Sequence, residues 1–328
     1  MHSDAQVQAQ VQSQAQVQAK RSWYIGLICV LGAQILFGTT FAVNKFVISQ
    51  DVDPVLMGFN RAWIAIVCLF PFYRRNRGTT RWTPKDWRLV FFVGAFATAG
   101  AMILEYMGTE HTAASNVSLI ISTESVLAIL LAVLILKEKL RLSTIFGGVG
   151  AMVGMALVLW EDIQTFQVHG GSDLFGDLLV TASVFLWCLY TINSKRILQN
   201  SEPLIAHFFI TIFSCFTLGL VSFLRGSWPA VMEMSLSAWI GTLYLGGVCS
   251  GFAHWLYFQA LKRLPASLVS LTLTLLPVFG VTFSILLLGE TLSINQAIGG
   301  LAIAAGVGYA VWPQDHEVPI PEEAPPGA

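Results

Sequence analysis

Charge is what this sequence has least of. Asp, Glu, Lys and Arg make up 11% of its 328 residues, under half the ~25% of an ordinary soluble domain. Hydrophobic residues make up 55%, more apolar surface than one water-soluble core can hide. With 18 Lys+Arg against 19 Asp+Glu, no basic excess points to nucleic acid, and no such partner is expected. Cysteine is scarce too: Cys29, Cys68, Cys188, Cys215 and Cys249 are isolated within apolar runs. Without C-x-x-C or Cys/His spacing, neither a disulfide framework nor a metal site is expected. No P-loop, Rossmann glycine fingerprint or G-x-S-x-G elbow occurs, which argues against ATP-driven pumping, a nucleotide cofactor or a serine hydrolase. No cofactor is expected.

Apolar runs of ~18 to 25 residues, long enough to span a bilayer as helix, fill most of the chain. Ten lie near 24–47, 54–73, 88–108, 113–136, 143–160, 174–198, 203–224, 237–261, 266–288 and 293–312. They predict an all-α integral membrane protein of ten transmembrane helices, with the lipid bilayer as its surroundings. Fifteen of the 18 basic residues fall in segments on one side, from Lys20–Arg21 through the Arg74–Arg88 cluster to Lys262–Arg263. Only Arg225 lies opposite, while Lys45 and Arg61 fall inside runs. The positive side is the cytoplasmic one, so both termini are predicted to be cytoplasmic. Residues 1–22 are a Gln-rich tail and 313–328 a Pro- and Glu-rich one, both expected to be disordered. The run after Lys20–Arg21 is too long for a signal peptide and lacks a clear cleavage site, so it reads as a retained helix.

Shifting the chain by 152 residues aligns Thr112–Trp160 with Leu264–Trp312. Identical pairs include Ala114/Ala266, Ser118/Ser270, Glu138/Glu290, Gly147/Gly299, Gly148/Gly300 and Trp160/Trp312. A weaker match near 150 residues joins Phe37–Lys45 to Trp187–Lys195. The chain therefore divides into 23–161 and 174–312, each with five predicted helices. An odd number of crossings turns the second repeat upside down. The charges follow: Glu110–His111 corresponds to Lys262–Arg263, and Lys137, Lys139 and Arg141 correspond to Gly289, Thr291 and Ser293. Inverted repeats belong to secondary transporters, whose site lies near midplane between the halves.

The segment FGTTFAVNK in the first helix, Arg61 within GFNRAWIA, and the Ala-Ser pairs opening helices four and nine carry a family resemblance. So do the glutamates of LILKEKLRL and LLLGETLSI and the Gly-Gly pair in the last helix of each repeat. Over residues 24–312 the chain resembles the ten-helix EamA-type members of the drug/metabolite transporter superfamily. The resemblance implies a central cavity lined by helices one, three, four, six, eight and nine, and favours export. Where that family often reads Glu-Pro in helices four and nine, this chain has Glu124–Ser125 and Leu276–Pro277. Glu105 stands where the family usually has an apolar or aromatic residue.

Ionisable groups in hydrocarbon are costly and generally face a cavity or a partner. Glu124, at the midpoint of helix four, is a candidate for binding a substrate cation or a proton; a fold glutamate paired to another helix is the other reading. Glu105, toward the outer end of helix three, is a second candidate, unless it reaches the interface. His254 suits a proton relay by its titration range, although a lone histidine in an aromatic run is often hydrogen-bonded core. Gln34 and Asn44 need interior partners or water and are candidate substrate-binding residues, helix–helix hydrogen bonding being the other reading. Trp187, Tyr190 and Tyr257 are candidate substrate-binding cavity walls. Lys45 and Lys195 occupy matching repeat positions and are candidate gating lysines, or end anchors. Arg61 fits a structural partner of Glu124 or Glu105. Glu138 and Glu290 are assigned to free amides near helix starts, Gly147, Gly148, Gly299 and Gly300 to close helix packing, and Pro277 to structure.

The sequence thus points to a non-enzymatic secondary transporter of small amphipathic metabolites such as amino acids. A proton, an exchanged solute or the solute gradient would drive it, through a monomer or homodimer in a bacterial inner membrane. The other readings are a membrane-embedded enzyme or a flippase acting on a lipid or lipid-linked sugar.

Overall fold

A computed structural model describes residues 2–78, 80–112, 114–165, 172–288 and 293–312. All regular elements among them are helical. In chain order the apolar helices are α1 (His2–Ile48), α2 (Pro54–Asn76), α3 (Pro84–Thr109), α4 (Asn116–Leu136) and α5 (Leu142–Val158). They continue as α6 (Leu174–Ile197), α7 (Pro203–Leu224), α8 (Leu236–Arg263), α9 (Ala266–Phe283, continuing in helix to Leu288) and α10 (Ile294–Val311). Among the described residues nine are long and apolar enough to cross a membrane, and α5 falls just short at 17 residues. Glu290 and the tail 313–328 lie outside the described residues. Residues 2–22, expected to be unstructured, instead continue α1. Gln and Ala are good helix formers, and a membrane-anchored helix provides the nucleus that an isolated segment lacks.

Local chemistry sets the helix starts. Proline begins α2, α3 and α7, where its missing N–H costs nothing. Asp53 accepts from Leu56 N, while Thr83 with Asp86 and Ser293 with Gln296 form reciprocal capping boxes, a pattern that satisfies two orphan amides.

Contacts between equivalent helices show the inversion directly. In α5 and α10, Gly147 faces Gly306 and Gly154 faces Gly299. The numbers rise along one helix as they fall along the other, so these repeat mates run antiparallel. Likewise Phe59 of α2 meets Gly219 of α7, while Tyr73 stacks on Phe208 at 4.4 Å. Other contacts come in exchanged pairs: Gly26 against Leu264 mirrors Gly176 against Thr112.

The helical irregularities are mirrored as well. A π-helical stretch interrupts α3 at Phe92–Thr98 and α8 at Leu245–Ala253. α4 breaks at Thr123, between a first segment that ends at Ser122 and a second at Glu124–Leu136. α9 tightens into a 3-10 turn at Thr272–Leu275, 152 residues on, just before Pro277. Pro277 has no N–H to donate. Irregular backbone at membrane depth survives only where protein or a cavity covers it, and all four interruptions flank the same interior space.

Candidate functional site

A cavity of about 230 Å³ lies at that space. It gathers most of the residues singled out from the sequence: Asn44, Glu105, Glu124, Trp187, Tyr190, His254 and Tyr257. Gln34 is not among them. It is fully buried and donates to Thr272 Oγ1 at 3.0 Å, joining α1 to the 3-10 turn of α9. Lys45 is exposed near the end of α1 and lies off the cavity. Lys195 also lies off it, donating to Leu261 O and Leu264 O at 2.5 Å each. Its charge therefore sits on the unsatisfied carbonyls at the C-terminal end of α8, where cations are favoured.

Glu138 takes up free amides, but not those of the helix that follows it. Its carboxylate accepts from Ala266 N at 2.7 Å, Ser267 N at 2.9 Å and Ser267 Oγ at 2.7 Å. It thus caps α9 of the other repeat. The glycine pairs also divide. A Cβ on Gly147 would lie 2.3 Å from Gly306 O, and one on Gly299 2.5 Å from Gly154 O. Gly148 and Gly300 would meet only Leu271 and Val278 side chains, at 3.6 and 3.7 Å. Close backbone approach thus belongs to Gly147 and Gly299, with Gly306 and Gly154 as their partners.

Arg61 lines the cavity from α2, yet no ion pair joins it to either glutamate among the described residues. Its Nε donates to Ser250 Oγ at 3.2 Å and its Nη1 to Asn44 Oδ1 at 3.3 Å. It bridges α1, α2 and the π-helical stretch of α8 through neutral partners. Glu105 accepts from Trp187 Nε1 at 3.0 Å, linking α3 to α6. The Glu124 carboxylate has no hydrogen-bond partner among the described residues; only its backbone carbonyl is engaged, by Cys188. Glu124 begins the second segment of α4. The helix dipole there favours a negative charge by ~0.3 to 1 kcal/mol, and the half-buried side chain faces the cavity.

Sequence reasoning missed His207. It is buried on α7, its ring stacked on His254 with centroids 5.6 Å apart and planes 6° apart. His207 Nε2 lies 2.9 Å from Ser250 O, and His254 Nδ1 lies 2.9 Å from Cys249 O. A carbonyl only accepts, so each of these nitrogens carries the hydrogen. The two imidazoles satisfy backbone oxygens within the π-helical stretch. His207 sits in an apolar run as His254 does (IAHFF beside FAHWL), and the same criterion applied twice would have found it. Thr191, which hydrogen-bonds Tyr257 at 2.9 Å, Tyr106 and Thr211 were missed as well. α2 and α7 also enter the wall, beyond the six helices expected. Gly58, Ala62, Thr211 and Ser214 are small enough to leave space beside them.

The cavity is symmetric in position and asymmetric in chemistry. Phe37 and Trp187, Thr40 and Tyr190, Met102 and His254, and Glu105 and Tyr257 are repeat mates, as are Glu124 and Leu276. All three charged lining residues, Arg61, Glu105 and Glu124, come from the first repeat. The second supplies Trp187, Tyr190 and Tyr257 with both histidines.

An inverted pair of helical units around a mostly apolar cavity that carries three charged side chains defines a membrane protein of the drug/metabolite transporter class. The chain belongs to the EamA-like transporter family, whose model matches it twice, over residues 24–160 and 174–312. An uncharacterized transporter of Methanothermobacter thermautotrophicus is 27% identical, with 89% of this chain and 87% of that one covered. Another from Archaeoglobus fulgidus is 26% identical over 82% and 91%. The WAT1-related protein At5g64700 of Arabidopsis thaliana is 21% identical over 87% and 88%. A solved crystal structure shares the fold with TM-score 0.72 at 18% identity, covering 89% of this chain and 96% of that one.

Proposed function

We propose that this protein is a secondary transporter of small amphipathic metabolites, amino acids among them, working by alternating access between its inverted repeats. The carrying observation is the cavity between the halves, where Glu105, Glu124, Arg61 and an aromatic wall converge. Relatives described as transporters support the class. Its size, just under the ~300 Å³ where ordinary ligand pockets begin, suits a metabolite rather than a lipid-linked sugar. In this reading ten helices cross a bacterial inner membrane, α5 among them, both termini are cytoplasmic, and the direction is export. The protein works as a monomer or homodimer, and a proton, an exchanged solute or the solute's own gradient drives the cycle.

The test is uptake of a pooled set of radiolabelled amino acids and small metabolites into proteoliposomes, with and without an imposed pH gradient. Accumulation that collapses with the gradient establishes proton coupling; gradient-independent uptake establishes exchange or facilitation. Failure of folded protein to move any solute refutes the proposal. A chemically altered product in the same vesicles would establish an enzyme instead.

A further inference from the structure

The charge inventory of the cavity narrows the solute beyond the transporter reading, on which this inference rests. Two carboxylates and one guanidinium line the space, a formal surplus of one negative charge. The guanidinium is already committed to Asn44 and Ser250, and Glu105 to Trp187. Glu124 is left without a partner among the described residues. Glu124 is half-buried at the cavity wall, and a more deeply buried polar group beside it also lacks a partner. Tyr190 is 5% exposed, and its phenolic oxygen is buried without a hydrogen-bond partner among the described residues. Both side chains line the cavity. A buried phenol without a partner is destabilising, and a half-buried carboxylate facing the same space attracts a donor, so an occupant with N–H groups supplies what both lack.

A neutral ligand would leave the negative surplus in place. A zwitterion would leave it too, because its two charges cancel. An anion would double it. A protonated amine removes it and brings N–H donors for both the carboxylate and the phenolic oxygen. The rest of the wall fits the same guest. Tyr190 and Tyr257 lie nearly parallel, at 11° with centroids 6.4 Å apart, and Trp187 stands edge-on to Tyr190 at 5.7 Å. Aromatic faces attract cations and accept flat apolar groups.

We propose that the cavity prefers an amphipathic monocation, an amine without a carboxylate, over the amino acids that the transporter reading includes. Its ammonium lies at Glu124 of the first repeat and its apolar body against Trp187, Tyr190 and Tyr257 of the second. All three charged lining residues belong to the first repeat, whereas the second contributes Trp187, Tyr190 and Tyr257 and the first only Phe37 and Tyr106; this imbalance favours one orientation of the solute.

The experiment compares three solutes with one phenyl body: phenylethylamine, phenylalanine and 3-phenylpropionate. Each is titrated against the full-length protein in detergent, and each is offered to proteoliposomes. Phenylethylamine is expected to bind about tenfold or more tighter than phenylalanine, with 3-phenylpropionate weakest. The preference should vanish in Glu124→Gln, since losing one partner of a buried charge pair costs at least that factor. Tyr190→Phe should weaken the amine several-fold while leaving the order intact. Unchanged melting of both variants excludes misfolding as the cause, and a Glu124→Asp variant supplies the carboxylate again if Glu124→Gln does not fold. Equal or tighter binding of phenylalanine, or a preference that survives Glu124→Gln, overturns the amine assignment. Uptake of phenylalanine in that case leaves the transporter reading standing. Selective amine binding without uptake of any solute does the reverse.

Discussion

The crossing of α5 and α10 gives the sharpest test of the inverted architecture, because glycines on the same helices serve as controls. A Cβ built on Gly154 would stand 2.7 Å from both Gly299 O and Ile303 N, and one on Gly306 2.5 Å from Gly147 O and 2.7 Å from Ala151 N. These are backbone atoms, which cannot swing aside. Ordinary contact needs 3.4 Å or more, against 2.3 to 2.7 Å at the four positions, so alanine at any of them would force the helices apart. Overpacking of that kind costs ~1 to 3 kcal/mol. Gly150 and Gly308 sit on the same two helices with an ordinary contact at 3.7 Å and with open space, respectively. There, Gly→Ala carries only the gain in helix propensity, up to ~1 kcal/mol. Thermal unfolding of purified variants in detergent should therefore separate two groups. Gly147→Ala, Gly154→Ala, Gly299→Ala and Gly306→Ala should melt below the parent, with Gly147→Ala and Gly299→Ala alike as repeat mates. Gly150→Ala and Gly308→Ala should melt at or above it. If Gly154→Ala is as stable as Gly150→Ala, the helices do not approach as described and the symmetry argument loses its geometric basis.

Three further substitutions test the site and its supports. Glu124→Gln should abolish or strongly reduce solute uptake while leaving the melting temperature unchanged or raised, since it removes an unpartnered carboxylate; wild-type uptake would dismiss Glu124 from the mechanism. Glu138→Ala should destabilise the protein by ~2 kcal/mol, because it strips two amides and a hydroxyl at the start of α9 of their acceptor; an unchanged melting curve would contradict that cap. Arg225→Gln breaks contacts to Asp53 at 3.5 Å and Glu110 at 3.1 Å that are partly exposed, so its cost should stay within ~1 kcal/mol. A larger loss would mean that this loop cluster is shielded from water.

Hydropathy and charge exposed the helices, because bilayer thickness imposes one length on every span and the cytoplasmic face collects lysine and arginine. The repeat offset exposed the inversion. Backbone irregularity was out of reach: nothing in FVGAFAT or LGGVCSGFA announces a π-helical stretch, since that register depends on what packs against it. The same limit hid the roles of polar side chains. Gln34 and Asn44 read alike as interior polar groups needing partners, and Lys195 as a gating or end-anchoring lysine; only tertiary structure sends Asn44 to the cavity, Gln34 to Thr272 and Lys195 to the carbonyls ending α8. Glu138 was legible as an amide acceptor but not as the cap of the opposite repeat. Sequence neighbours suggest local partners, whereas an inverted repeat brings the equivalent loops of its two halves together.

A symmetric frame enclosing an asymmetric site resolves two competing demands. If the two faces open in turn, each half must adopt the geometry of the other, and the features that set geometry are accordingly duplicated: the glycine crossing, both π-helical stretches, and the interruptions of α4 and α9. A solute with unlike ends has no such symmetry, and the side chains meeting it have diverged at mated positions, Glu105 with Tyr257 and Glu124 with Leu276. Moving the carboxylate across the pseudo-axis separates these demands. In a Glu124→Leu, Leu276→Glu double variant the surplus charge stays in the cavity while the ammonium site crosses to the second repeat, the one that already carries Tyr190 and Tyr257, so charge and aromatics no longer come from opposite halves. The double variant should fold, because both positions begin equivalent helical segments beside the cavity, yet bind phenylethylamine no better than Glu124→Gln does. Full recovery of binding would mean that net charge alone selects the solute and that the aromatic wall does not orient it.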